Sequence, residues 1–229
     1  MMKVVSLPEM EVFAVLASSG LCPTLPGPDI IVSLQHDDVE IRNDLTRAQL
    51  QEMHDDIDLA YRVNDHAHDE IGGMLRGDIA IKYKINFDQV PVNGGVCVRY
   101  NAVHVVLAID PVIFVAREYA PPACMYREIY GHEEMHLAVD KSVMEKYAQR
   151  MLDGLAMAFS LPGDGVAGPV SVHTVHAFKE DMGRAVMGMA NILVQDMARE
   201  RAERQAAVDA PENYVQVMRR CYFDVSSRR

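Results

Sequence analysis

The stretch Ile79-Ala80-Ile81-Lys82-Tyr83-Lys84-Ile85-Asn86-Phe87 (IAIKYKINF) places an apolar residue at every second position. A period of two sends successive side chains to opposite faces of a strand, so this segment reads as a strand with one face in a core. Asn93-Gly94-Gly95 follows as a turn signal, because these residues tolerate positive φ. Beyond the turn, Val96–Tyr100 and Val103–Val115 are apolar and rich in β-branched residues. Asn101-Ala102 is the expected break between them, and Pro111 marks an edge or a bulge. The expectation is an antiparallel meander. Upstream, Asp29–Leu34 reads as a short strand. Thr46 to about His66 reads as a helix, with Leu50, Met53, Ile57 and Tyr61 at steps of 3 and 4. Gly72-Gly73 and Gly77 punctuate the segment between.

Downstream the period changes. Pro121-Pro122 is a helix-start signal, and one long helix is expected from about Cys124 to Phe159. Pro162-Gly163-Asp164-Gly165 is a loop, and a second helix runs from about His173 to Ala207. Strands followed by long helices predict an α+β fold. In it, an antiparallel or mixed sheet with an edge strand packs on the first long helix, and the second helix returns antiparallel to it. Residues 28–229 are expected to form one domain, preceded by an N-terminal segment, residues 1–27.

Composition narrows the function. The chain has 229 residues, of which 49% are hydrophobic, enough for a sizeable core. Its net charge of −11 and the lack of a long basic run argue against nucleic acid or an anionic membrane surface as partner. No apolar run reaches the roughly 18 residues of a membrane span. Val12–Leu21 (VFAVLASSGL) has the size of an export signal, but Lys3 is the only positive charge before it and Glu9 and Glu11 have the wrong sign. An export signal and a packed N-terminal element both stay open, and with them a periplasmic or secreted against a cytoplasmic location. The four cysteines, Cys22, Cys97, Cys124 and Cys221, allow two disulfides in an exported chain. Cys97 with Cys124 is the expected pair; four buried thiols is the cytosolic alternative.

The first long helix carries Gly131–Asp140, GHEEMHLAVD, which contains H-E-x-x-H. At 3.6 residues per turn, His132 and His136 project from one face about a turn apart, close enough to share one ion. Met125, Ile129, His132, His136, Val139, Val143, Tyr147 and Met151 follow steps of 3 and 4. The two imidazoles therefore interrupt an apolar, core-facing stripe, where unpaired polar groups are costly and a cation satisfies both rings. Glu133 projects beside them and can face water at the ion without being a ligand. Without an ion, each ring needs its own hydrogen-bond partner.

GHEEMHLAVD resembles the active-site helix of the zincin metallopeptidases. The order of strands, motif helix and second helix over about residues 78–205 is similar in outline. Gly95-Val96-Cys97 ahead of the motif is also similar to a G-x-C strand in a group of bacterial, often exported, predicted zinc peptidases. The resemblance implies a zinc-dependent hydrolase acting on an extended peptide or protein. His132 and His136 would be zinc ligands and Glu133 the general base that takes a proton from metal-activated water and passes it to the leaving amine. The zincin edge strand pairs with substrate main chain, and Val103–Val115 is the matching segment.

A catalytic zinc site needs a third protein ligand. The metzincin form, with a glycine three residues past the second histidine and a ligand three further on, is absent: Val139 and Ser142 stand there. The gluzincin form takes a carboxylate from the next helix. Its apolar stripe, Val175, Phe178, Met182, Ala185, Met189 and Ile192, continues onto Asp196 and then Glu200. If the helices fold back about a loop centred near Gly165, residues 195–199 face the histidines, which favours Asp196 over Glu200. Asp140 shares His136's face but lies too far along the axis from His132, and suits a supporting role. Cys97 as a ligand is the arrangement of peptide deformylases, whose E-G-C-L-S segment is absent here. His66 and His68, and the group His173, His176 and Glu180, read as solvated polar surface. Two other classes remain open: a non-catalytic metal-binding scaffold with a closed, four-ligand site, and a metal-free interaction domain.

Overall fold

A computed structural model describes residues 22–61, 71–161, 163–210, 212–213 and 219–221, with side chains of 55–61 excepted. The expected N-terminal segment falls largely outside these residues, as does the His66–His68 patch. The elements are β1 (Asp29–His36), β2 (Glu40–Arg42), α1 (Arg47–Tyr61), β3 (Gly73–Arg76), β4 (Ile79–Val92), β5 (Gly95–Ile109), β6 (Val112–Val115), α2 (Cys124–Ala158), β7 (Val166–Val170) and α3 (Val175–Val208). The fold is α+β, with a four-stranded and a three-stranded sheet and long helices after the main strands. The chain divides into two compact units. The first comprises Met1–Leu34, Ile81–Leu107 and Glu145–Met197; the second comprises Gln35–Ala80, Ala108–Met144 and Ala198–Arg229.

In the first unit, β5 lies between β1 and β4, and β7 also pairs with β5. β4 alternates half-buried and exposed residues along Ile79–Phe87, as its period of two requires. The Asn93-Gly94 turn joins it to β5, and Gly94 takes φ 93°, open only to residues that tolerate the left-handed region. Tyr100 on β5 is buried between the rings of Phe87 and Phe159, with centroids 5.1 Å away in each case. Its hydroxyl donates to the Met182 carbonyl at 2.6 Å, so the phenol enters the core without an unpaired polar atom. Cys22 is bonded to Cys97 in this unit.

The second unit is built on β6, flanked by β2, parallel, and β3, antiparallel. Strand alternation divides its side chains. Phe114 and Met74 pack with Leu50 of α1 on one face, whereas Ile113 and Val115 pack with Ile129 of α2 on the other. With a helix on each face, β6 is apolar throughout. α1 starts on a capping box. The Gln49 backbone N–H donates to the Thr46 hydroxyl at 3.2 Å, and the Thr46 N–H donates to the Gln49 side chain at 2.9 Å. Cys124, at the start of α2, is bonded to Cys221.

Three expectations change. Asn101-Ala102 does not interrupt β5, which runs on to Ile109. The break comes at Asp110-Pro111, where proline removes a ladder donor. Val103–Val115 is consequently two strands, and neither is an edge: β5 and β6 are each flanked on both sides. The edges of the three-stranded sheet are β2 and β3. Finally, Cys97 does not pair with Cys124; each bonds to a cysteine far away in sequence.

Candidate metal centre

α2 carries His132 and His136 on the face it turns inward. Their side chains are 7% and 12% exposed, and the neighbouring Asp140 is fully buried. α3 ends at Val208, and Asp209 is the first residue past it. The Asp209 N–H still donates to the Gln205 carbonyl at 3.2 Å, and the Asn213 side chain donates to the Val208 carbonyl at 2.8 Å, which supplies a partner for a free helix-end carbonyl. This hold aims the Asp209 carboxylate at both imidazoles.

Three atoms converge. Asp209 Oδ1 lies 3.2 Å from His132 Nε2 and 3.0 Å from His136 Nε2, and the two Nε2 atoms are 3.2 Å apart. The rings stand nearly perpendicular, at 84°. A metal about 2.0–2.1 Å from each ligand in tetrahedral geometry needs ligand atoms about 3.3–3.4 Å apart. The observed triangle is within a few tenths of an ångström of that spacing, so His132, His136 and Asp209 could together hold one such ion. The donor set, two imidazoles and a carboxylate, suits a divalent transition ion. Asp209 also sits at the negative end of the α3 dipole, so a cation beside it offsets two unfavourable charge effects at once.

A polar network supports the triangle. Gln205 bonds His136 Nδ1 through its side-chain oxygen. Its amide nitrogen donates to the His136 backbone carbonyl at 3.1 Å and to Asp140 Oδ1 at 2.6 Å. Arg201 donates to Asp140 from Nε at 2.7 Å and from Nη2 at 2.9 Å, and from Nη2 to the Gly77 carbonyl at 2.8 Å. These contacts run in opposite chain directions, so α2 and α3 are antiparallel here.

Glu133 is 5% exposed. The Leu75 backbone of β3 hydrogen-bonds its carboxylate, and burial pushes its pKa up to about 7 against the pull of the His136 and His132 charges. For His136, burial acts downward, but the hydrogen bond and charge of Asp209, with Gln205 and Glu133, outweigh it and the net direction is up. β3 reaches Glu133 because Gly73 has no side chain there.

The structure brings His132, Glu133 and His136 together as the motif requires. The carboxylate it adds is Asp209 and not Asp196, which faces Arg150 at 4.0 Å. The displacement has a physical cause. His136–Gln205 and Asp140–Arg201 are both symmetric about residues 170–171, not about Gly165, because β7 lies in the connection between the helices. Moving the centre by about half a dozen residues moves the facing residue by twice as many. Glu200 pairs with Arg204 at 3.8 Å, and Cys97 is held in its disulfide. His176 and Glu180 form an exposed pair at 3.5 Å. Sequence reasoning missed Asp209 and Gln205. Periodicity gave no sign of Asp209, which lies past the helix end. Comparison of the chain with protein-family models, curated proteins and solved structures found no match.

Proposed function

We propose that this protein is a zinc-dependent hydrolase, with a peptide or protein as substrate. The observation that carries the reading is the convergence of His132 Nε2, His136 Nε2 and Asp209 Oδ1 within 3.2 Å, beside a buried carboxyl that is not part of the triangle. Zinc supplies Lewis-acid polarisation of a carbonyl and acidifies water at neutral pH. His132, His136 and Asp209 would hold it. Glu133, poised near neutrality and fixed by the Leu75 N–H, takes a proton from the attacking water and returns it to the leaving nitrogen. β3, an edge strand of its sheet, takes the place of Val103–Val115 as the candidate for pairing with extended substrate. The paired cysteines favour an oxidising compartment.

The test is metal analysis together with hydrolysis of a mixed peptide library by the wild type and Glu133→Gln. One zinc per chain and cleavage are expected. The variant should keep its zinc and lose roughly 10²–10⁴-fold in rate, the usual worth of a general base. Zinc without cleavage would support a binding scaffold. A chain that takes up no zinc would leave a metal-free interaction domain.

A further inference from the structure

We infer that Gln205 is a positioning residue of this centre: it holds His136 in the tautomer that offers Nε2 to a cation, and its own direction is set by Asp140 and Arg201. The inference rests on the metal-binding reading above.

The argument follows donors and acceptors. An arginine guanidinium only donates. Arg201 meets both Asp140 oxygens, at 2.7 and 2.9 Å, so both accept. The third group at Asp140 Oδ1 is the Gln205 side-chain amide, 2.6 Å away, which must present its NH₂ end. The same NH₂ satisfies the His136 carbonyl at 3.1 Å. Both amide hydrogens are then committed within α2. The carbonyl end of Gln205 is left facing His136 Nδ1, and a carbonyl oxygen accepts only. Nδ1 must therefore carry hydrogen, and in the neutral ring the lone pair is on Nε2. That is the atom 3.0 Å from Asp209 Oδ1 and 3.2 Å from His132 Nε2. The Arg201–Asp140 ion pair thus specifies, through one amide, which nitrogen faces the ligand triangle. Asp140 is fully buried and one turn past His136, so it stays in register with the ring it controls.

Partners of this kind are typically worth about 10–100-fold in metal affinity. The experiment compares wild type, Gln205→Leu and Asp140→Asn. Zinc affinity is measured by chelator competition, the visible spectrum is recorded with cobalt(II), and the His136 tautomer is read by ¹⁵N NMR on metal-free protein at alkaline pH. Gln205→Leu should keep its fold with a lowered melting temperature, since it leaves Asp140 and His136 without their Gln205 hydrogen bonds. It should weaken zinc by about 10–100-fold, alter the cobalt spectrum and lose the single Nδ1–H tautomer. Asp140→Asn, which frees the Gln205 amide to turn over, should shift the tautomer in the same direction. If Gln205→Leu keeps wild-type affinity, cobalt spectrum and tautomer, Gln205 is only a packing residue and the inference fails. If the wild type takes up no metal, the hydrolase reading fails instead, while the tautomer measurement still decides the role of Gln205.

Discussion

A β-carbon built on Gly73 would stand 2.9 Å from Oε1 of Glu133 and 2.4 Å from Cγ2 of Ile129. The closeness of β3 to the Glu133 carboxyl therefore depends on one missing methyl group. A third obstacle, the Phe114 carbonyl oxygen of the paired strand β6, lies 3.0 Å away and is backbone, so overpacking should cost Gly73→Ala at least about 1–3 kcal/mol. Relief comes from moving Ile129 together with Glu133, or from spreading β3 from α2. The expected outcome is a large loss of kcat with zinc content unchanged. Unaltered kcat would mean that the carboxyl tolerates displacement, and would argue against its role as base.

Removing the two carboxylates one at a time separates the ligand expected from helical spacing from the carboxylate that meets the two imidazoles. Asp209→Ala removes one corner of the triangle and should weaken zinc by more than the roughly 10–100-fold of an outer contact. Asp196→Ala, which loses a half-exposed contact with Arg150 at 4.0 Å, should bind zinc as the wild type does. Isothermal titration on both variants reads the contrast. The reverse ranking would return the third ligand to Asp196.

Acid should release the metal, because protons and cations compete for the same imidazole lone pairs. The His136 pKa is raised, so competition starts above the ordinary imidazole value of about 6.5. In the metal-free protein, Glu133 and His136 hold protons in the folded state that the unfolded chain has already released. The folded state then binds more protons, and its stability falls as pH rises through the region between the ordinary carboxyl value and about 7. A bound dication replaces those protons. The rise in melting temperature on adding zinc should therefore grow from pH 5 to pH 8. A rise that is constant across this range would contradict the account.

The Cys124–Cys221 bond ties the chain past Asp209 back to the start of the motif helix, and Arg220 reinforces it by donating to Glu128 at 3.0 Å. Its sequence separation of 97 makes it a long-range constraint on the unfolded chain. Replacing both cysteines by alanine should lower stability by about 2–5 kcal/mol, read from the denaturation midpoint. Thiol titration of the denatured, unreduced wild type should find no free cysteine. Four titratable thiols would remove both bridges from the native protein.

The sequence by itself determined what depends on neighbours along the chain. The alternation at Ile79–Phe87 gives β4, and the helical periodicities place α2 and α3 within a residue or two of their observed ends. His132, Glu133 and His136 lie within five residues on one helix, so backbone geometry alone sets their spacing. Tertiary structure decided the rest. Asp209 is 73 residues from His136, and its arrival depends on how far β7 shifts one helix against the other. Gly73 read as punctuation, because nothing local shows that a helix passes over it. The cysteine partners, 75 and 97 residues apart, were equally illegible. Periodicity says which face a helix buries. The residue that meets that face is set by the length and path of everything folded in between.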